Sequence, residues 1–127
     1  MLPSKWLEEA SQRLDGKVYR TPLTHDAERG LYIKWENRQK TGSFKARGAL
    51  NKVLTLEDWE REMGLVTASA GNHGQGVALA AQTLGCPVRV FVPQDAPKVK
   101  VDAIRALGAD VVVVEGGYHA AEEAGLA

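Results

Sequence analysis

Lys45 lies in the segment Thr41-Gly42-Ser43-Phe44-Lys45-Ala46-Arg47-Gly48, presented among small, backbone-permissive residues just where an extended run gives way to helical spacing. A lysine held this way suits covalent capture of a carbonyl cofactor, provided its amine is neutral part of the time. Burial or nearby cationic groups favour that state by disfavouring the ammonium form, and Lys34, Arg38, Lys40 and Arg47 are close in sequence. A second constellation is Thr67-Ala68-Ser69-Ala70-Gly71-Asn72-His73-Gly74-Gln75-Gly76, a strand end turning into a helix. The free N–H groups of a helix start attract anions, and Gly71, Gly74 and Gly76 let a ligand approach the backbone. Each glycine in a first helical turn costs about 1 kcal/mol relative to alanine, so a ligand or a packing contact must offset it. The spacing is not that of a dinucleotide loop, and it leaves anion binding and a purely structural glycine turn both open.

The elements that must position these residues follow from periodicity. Ser4 is placed to cap a first amphipathic helix carrying Trp6, Leu7, Ala10 and Leu14, which Gly16 ends. Tyr19 to Leu23 is extended, and Leu31 to Glu36 alternates as a strand does. The lysine loop then enters a helix with Ala46, Ala49, Leu50, Val53 and Leu54 on one face, so Lys45 falls near a helix N-terminus. A short acidic helix around Glu57 to Glu62 presents a solvated face. Three apolar strands, Leu65 to Ala68, Val88 to Val92 and Asp110 to Val114, recur at a spacing of roughly 22 residues, each trailed by a helical segment. The last two are nearly continuous in apolar residues, which predicts a parallel sheet buried on both faces: an α/β fold with helices on either side, in three layers. Pro97 and Gly108 bracket a helix with Val101, Ile104 and Leu107 as its apolar stripe. Tyr118 to Ala127 begins a further helix, and a parallel crossover needs a strand to return to.

Composition narrows the class. The 127 residues, 44% of them hydrophobic, suffice for a core, and Lys+Arg and Asp+Glu balance at 16 each, so net charge favours neither nucleic acid nor an acidic membrane. The single cysteine, Cys86, cannot make an internal disulfide and sits in a Gly85-Cys86-Pro87 turn, which makes a reducing, cytoplasmic compartment the expectation. The chain has no apolar run of membrane-spanning length and no secretion signal at its N-terminus. His25 and His119 have no partner at metal-ligand spacing, so no metal is expected. His73 suits either catalysis or a structural hydrogen bond to backbone, and Trp6, Trp35 and Trp59 suit packing better than base stacking.

Together, Lys34-Trp35-Glu36, Thr41 through Ala49 and Ser69 through Gly76 resemble the pyridoxal-phosphate enzymes of the tryptophan-synthase-β type (fold type II), threonine dehydratase most of all. The resemblance runs from Thr21-Pro22-Leu23 onward and rests on two separate motifs in the right order. Gln39, where the synthases carry Asn-Pro, and Ala46, where they carry Asp, tilt it toward the dehydratases, and Lys100 through Ala109 looks like a biosynthetic-type threonine dehydratase.

The resemblance implies pyridoxal 5'-phosphate as cofactor, with Lys45 its Schiff-base lysine and later the base at Cα. It implies Asn72 on the ring hydroxyl oxygen, Phe44 beside the cofactor (or, as sequence alone allows, in the core), and Ser69, Asn72 and His73 on the substrate carboxylate. The implied reaction is loss of water from L-threonine or L-serine, giving 2-oxobutanoate or pyruvate plus ammonia. Serine racemases of this family usually carry serine where this chain has Ala70, which speaks against racemisation. A β-replacement synthase of the same family, of the cysteine or threonine synthase type, and a non-catalytic anion-binding module are the alternatives. Family members are about twice this length or more. The expectation is therefore an N-terminal fragment, inactive alone. Residues 1–49 would be a segment packing on the large domain and residues 50–127 most of the small domain. The glycine-rich phosphate loop and most of the large domain would be absent. A homo-oligomer is expected at full length.

Overall fold

Helix α1 spans Ser4–Leu14 in the computed structural model, which describes residues 3–127. Its N-cap is Pro3, not Ser4, which is the first helical residue and whose side chain caps nothing. Proline's fixed φ suits entry to a helix without a side-chain cap. The antiparallel hairpin β1 (Leu23–Asp26) and β2 (Leu31–Lys34) follows, with Leu23 paired to Lys34. The strand expected to reach Glu36 stops at Lys34. Glu36–Arg38 and Lys40–Gly42 instead form single 3₁₀ turns that turn the chain toward α2 (Lys45–Val53). Helix α3 (Asp58–Met63) starts with a reciprocal capping box between Glu57 and Glu60, and Arg61 pairs with Asp58 at 2.7 Å on its surface.

Strands β3 (Leu65–Ala68), β4 (Val88–Pro93) and β5 (Asp110–Val114) pair in parallel in the order β3-β4-β5. They alternate with α4 (Asn72–Leu84), α5 (Lys98–Ala106) and α6 (Tyr118–Leu126), so the three-layer α/β expectation holds. Helix α4 ends at Gly85 in a left-handed conformation (φ 69°), the turn that carries Cys86 into β4.

Helices α4 and α5 lie on one face of the sheet. There Val90, Val92, Ala78, Ala81, Val101 and Ile104 form one buried cluster, and Ala49, Leu50, Val53 and Ala80 form a second between α2 and α4. The expected division at residues 49 and 50 lies within α2, whose buried face packs on α4. Small alanines on α4 serve both clusters, which lets a sheet and a helix approach it at once.

The expectation that β4 and β5 are buried on both faces is not met. Val88, Val90 and Val92 are buried while Arg89 is exposed and pairs with Asp110 at 2.7 Å, and Val113 is 53% exposed. The reason is that β5 is an edge strand and that α6 alone covers the second face, packing over β4 and β3. Trp6 and Trp59, expected as packing residues, are exposed, whereas Trp35 is half-buried and donates its indole N–H to Thr24 Oγ1 at 2.9 Å. Among the described residues, no helix is long and apolar enough to cross a membrane.

Candidate active site

Lys45 is the first residue of α2, as its spacing suggests, and the loop before it is built to hold it there. Thr41 (φ 61°) and Gly42 (φ 66°) adopt successive left-handed conformations, after which Ser43 is extended and buried. A β-branched residue at positive φ costs on the order of 1–3 kcal/mol and persists only where its surroundings hold it. Here Gly42 N–H donates to Gln39 C=O at 2.8 Å, and Ser43 Oγ accepts the Lys45 N–H at 3.2 Å. Thr41 Oγ1 is buried without a hydrogen-bond partner among the described residues.

Gln39, 4% exposed, latches this loop to the preceding segment. Its Oε1 accepts the N–H of Tyr19 at 2.9 Å and of Lys40 at 3.0 Å, and its Nε2 donates to Tyr19 C=O at 2.9 Å. Arg47 completes the frame. Its Nε and Nη2 donate to the two oxygens of Glu36, both at 2.8 Å, and Nη2 also reaches Tyr19 C=O at 3.0 Å. The Thr21 hydroxyl donates to the same carboxylate. The Arg47 hydrogen bonds, helped by Thr21 and by the charges of Arg47 and Lys34, outweigh burial and bring the Glu36 carboxyl down to about 2. These contacts span tens of residues, and nothing in local periodicity signals them. Only the occurrence of Glu36 and Arg47 within matched motifs marks either residue.

The cations close to Lys45 in sequence have partners of their own. Lys34 Nζ donates to Thr21 C=O at 2.6 Å, Arg38 lies over the Trp35 ring, Lys40 over the Tyr19 ring, and Arg47 is held by Glu36. Lys45 Nζ itself lies 5.4 Å from the centroid of Phe44, which is 60% exposed. Phe44, at the N-cap of α2, is thus not a core residue.

The second motif closes on the first from α4. Strand β3 ends at Ala68, and Ser69 N–H continues the ladder to Phe91 C=O at 3.0 Å. Ser69 Oγ accepts the Gly71 N–H at 3.2 Å, leaving its own O–H free to donate, and Gly71 is the N-cap of α4. The N–H groups of the first helical turn, Asn72, His73 and Gly74, have no intrahelical acceptor. The glycines have packing reasons as well. A Cβ at Gly76 would stand 3.1 Å from Lys45 C and O, so α4 crosses directly against the lysine backbone. A Cβ at Gly74 would stand 2.1 Å from Ser69 O.

Lys45, Phe44 and His73 line one cleft of about 520 Å³, with Thr67 and Val77 in its wall. His73, for which a structural role was one option, is exposed at the second position of α4. Ser69 and Asn72 do not line this cleft. They sit at the adjoining turn, Asn72 exposed and Ser69 half-buried. Among the described residues, no group of three or more His, Cys, Asp or Glu could hold a metal ion.

A family model for pyridoxal-phosphate dependent enzymes matches residues 14–127. The chain belongs to that family. It is 44% identical, over 99% of its length, to the L-threonine ammonia-lyase of Thermotoga maritima, of which it covers 33%. Among solved structures it superposes on maize serine racemase with a TM-score of 0.90 at 33% identity, covering 96% of this chain and 39% of that one. It also superposes on the processed threonine deaminase isoform 2 of Solanum lycopersicum with a TM-score of 0.89 at 38% identity, covering 97% and 38%. The chain thus spans about a third of the length of the curated relatives it matches. The cofactor of the family is pyridoxal phosphate, and the site fits it: a lysine at a helix start opens onto an apolar cleft beside an aromatic ring, with unpaired helix N–H groups at the adjoining turn.

Proposed function

We propose that this chain carries the lysine-bearing part of a pyridoxal-phosphate-dependent threonine or serine dehydratase. The observation that supports this best is the meeting of two elements. Lys45 opens α2 onto the same cleft that His73 lines from the first turn of α4. In this reading Lys45 holds the cofactor covalently, the Phe44 ring packs beside it, and Asn72 hydrogen-bonds its ring oxygen. When bound, pyridoxal phosphate supplies an electron sink that acidifies Cα of the amino acid. The Ser69 hydroxyl and the N–H groups of Asn72 and His73 hold the substrate carboxylate, where an unpaired helix start favours negative charge. Once the substrate amine has taken its place on the cofactor, the freed Lys45 amine would take the Cα proton, the β-hydroxyl would leave with a proton as water, and hydrolysis of the product would release ammonia with 2-oxobutanoate or pyruvate. The methyl group of Ala70 can neither give nor take a proton on the opposite side of Cα, which favours elimination over racemisation.

Two measurements test this. Incubation with pyridoxal phosphate followed by borohydride should label Lys45 selectively, and Lys45→Ala should lose the label; even labelling of surface lysines would sink the assignment. For the reaction, a chimera in which this chain replaces the matched third of the Thermotoga maritima enzyme should release 2-oxobutanoate from L-threonine without an added nucleophile. Formation of the D-isomer in preference to the keto acid would overturn the dehydratase reading.

A further inference from the structure

We propose that Gln39 is a positioning residue for Lys45, acting through a closed staple whose two arms meet on the Tyr19 peptide. The inference rests on the reading of Lys45 as the lysine that captures the cofactor. Tyr19 C=O accepts a hydrogen bond from Gln39 Nε2 at 2.9 Å, ahead of the lysine in the chain, and from Arg47 Nη2 at 3.0 Å, behind it. Lys45 thus lies on an arc whose two ends are tied to one carbonyl. On the Gln39 side the tie has a second point, since Oε1 also accepts the Tyr19 N–H at 2.9 Å. A planar amide that both donates to and accepts from the same residue fixes direction as well as distance.

The arc needs such a tie. Thr41 and Gly42 are both left-handed, at φ 61° and 66°, a costly conformation for threonine. Within the arc, Gly42 N–H donates to Gln39 C=O at 2.8 Å and Lys45 N–H to Ser43 Oγ at 3.2 Å, while the buried Thr41 Oγ1 finds no partner among the described residues and adds no hold. Gln39 therefore anchors the arc twice, by its side chain to Tyr19 and by its carbonyl to Gly42. At the other end α4 crosses so closely that a Cβ at Gly76 would stand 3.1 Å from Lys45 C and O. Helix α4 sets where the Lys45 backbone lies, and the staple sets the direction in which the chain enters α2. The long lysine side chain magnifies any rotation at that point, and small misplacements of a reacting group cost large factors in rate.

The clamp stands apart from the core. Among the described residues, none from Tyr19 to Phe44 belongs to either buried cluster, and Gln39 sits between the two 3₁₀ turns, the C-cap of one and the N-cap of the other. Loss of its amide bonds should loosen the arc and leave the β3-β4-β5 sheet intact. Arg47 cannot be used to ask the same question, because its removal also strands the Glu36 carboxylate. Gln39 is uncharged, so its replacement isolates the hold on the lysine.

Gln39→Met keeps the approximate volume and removes the amide bonds. In the cofactor-free chain it should speed exchange of the Gly42 and Lys45 amides by about tenfold, with Leu65 and Ser69, bonded across to β4, unchanged. With pyridoxal phosphate and borohydride, Lys45 of the variant should label about tenfold more slowly relative to surface lysines than in the natural chain. In the Thermotoga maritima chimera, kcat should fall by about tenfold and KM for L-threonine stay within about twofold. Val88→Ala, at the amino end of β4 and far from the lysine loop, should lower the thermal midpoint without slowing the label. Gln39→Glu supplies a rescue. Its protonated carboxyl can donate to Tyr19 C=O and accept N–H groups as the amide does, whereas the ionised form cannot donate. As pH falls from about 8 to about 5, a range in which Glu36, lowered to about 2, stays ionised, the Lys45 labelling rate of Gln39→Glu should climb toward that of the natural chain. Should Gln39→Met fail to fold, that ratio decides alone. Equal labelling of folded Gln39→Met and the natural chain, equal slowing by Val88→Ala, or a Gln39→Glu ratio indifferent to pH would each overturn the positioning role while leaving Lys45 as the cofactor lysine. A natural chain whose Lys45 is not labelled selectively overturns that reading instead, and the inference with it.

Discussion

Gly74→Ala should destabilise the protein by about 3 kcal/mol or more, lowering the thermal midpoint by on the order of 12 °C. Ordinary propensity predicts the opposite. Gly74 lies inside α4 with a helical backbone, where alanine is better than glycine by about 1 kcal/mol. The steric contact decides the sign. The new Cβ would stand 2.1 Å from Ser69 O and 3.0 Å from Ile104 Cδ1. Ile104 is a flexible side-chain end, but Ser69 O is backbone and cannot rotate away, because Ser69 N–H is tied to Phe91 C=O at 3.0 Å and its Oγ to Gly71 N–H at 3.2 Å. Relief requires moving the turn that carries Ser69 and Asn72, so the variant should also lose selective labelling of Lys45. Two further glycines complete a series. A Cβ at Gly76 would meet Lys45 C and O at 3.1 Å, and one at Gly48, in α2, would meet nothing within 4 Å. Gly48→Ala should therefore stabilise by about 0.5–1 kcal/mol, Gly76→Ala should fall between, and Gly74→Ala should be worst. Thermal or urea unfolding of the three variants reads the order directly, and a Gly74→Ala midpoint at or above that of Gly48→Ala would refute the steric account.

That series also marks the limit of what the sequence reveals. The strands Leu65 to Ala68 and Asp110 to Val114 were legible to the residue because a run of β-branched residues between turn signals admits little else. Lys45 and Asn72 were placed correctly at helix starts because the apolar spacing changes there. What was illegible depends on pairs distant in the chain. The cost of Gly74 and Gly76 is visible in sequence, but the packing that offsets it, against Ser69 O and the Lys45 backbone, appears only when α4 is laid on α2. Gln39 reads as a family variant, yet it is a buried clamp on Tyr19, a residue with no motif of its own. The burial of β4 and β5 falls short of the expectation because apolar composition reports what a strand can be buried against, and β5 has one edge without a neighbour among the described residues while α6 alone covers the second face. Nor does nearness in sequence aim a side chain: Lys34 reaches Thr21 C=O, Arg38 and Lys40 lie over aromatic rings, and Arg47 is held by Glu36.

Acid should unfold the protein through Glu36. Its carboxyl titrates near 4.5 when unfolded and is lowered to about 2 in the fold, chiefly by the Arg47 hydrogen bonds. A depressed carboxylate binds fewer protons folded than unfolded, so it contributes stability in full above pH of about 4.5 and loses it as pH falls toward about 2. At about 1.4 kcal/mol per unit the shift corresponds to roughly 3 kcal/mol, which the partial exposure of both side chains reduces to about 2. Asp26 and Asp102, lowered by Arg29 and Lys98, are solvated and contribute little. Glu36→Gln should thus be less stable than the natural chain by about 2 kcal/mol at pH 7, and the difference should shrink toward zero near pH 2. Arg47→Met should be worse at neutral pH, since it leaves the Glu36 carboxylate half-buried without its partner. Its Glu36-linked acid limb should flatten, because Glu36 then titrates closer to its ordinary value in both the folded and the unfolded state. Denaturant unfolding between pH 2 and 7 measures both, and parallel pH profiles for Glu36→Gln and the natural chain would show that Glu36 is not the acid-sensitive group. The pair also joins the segment around Tyr19 and Thr21 to α2 two residues beyond Lys45, so the same acid range should erode selective labelling of Lys45 before the β3-β4-β5 sheet melts.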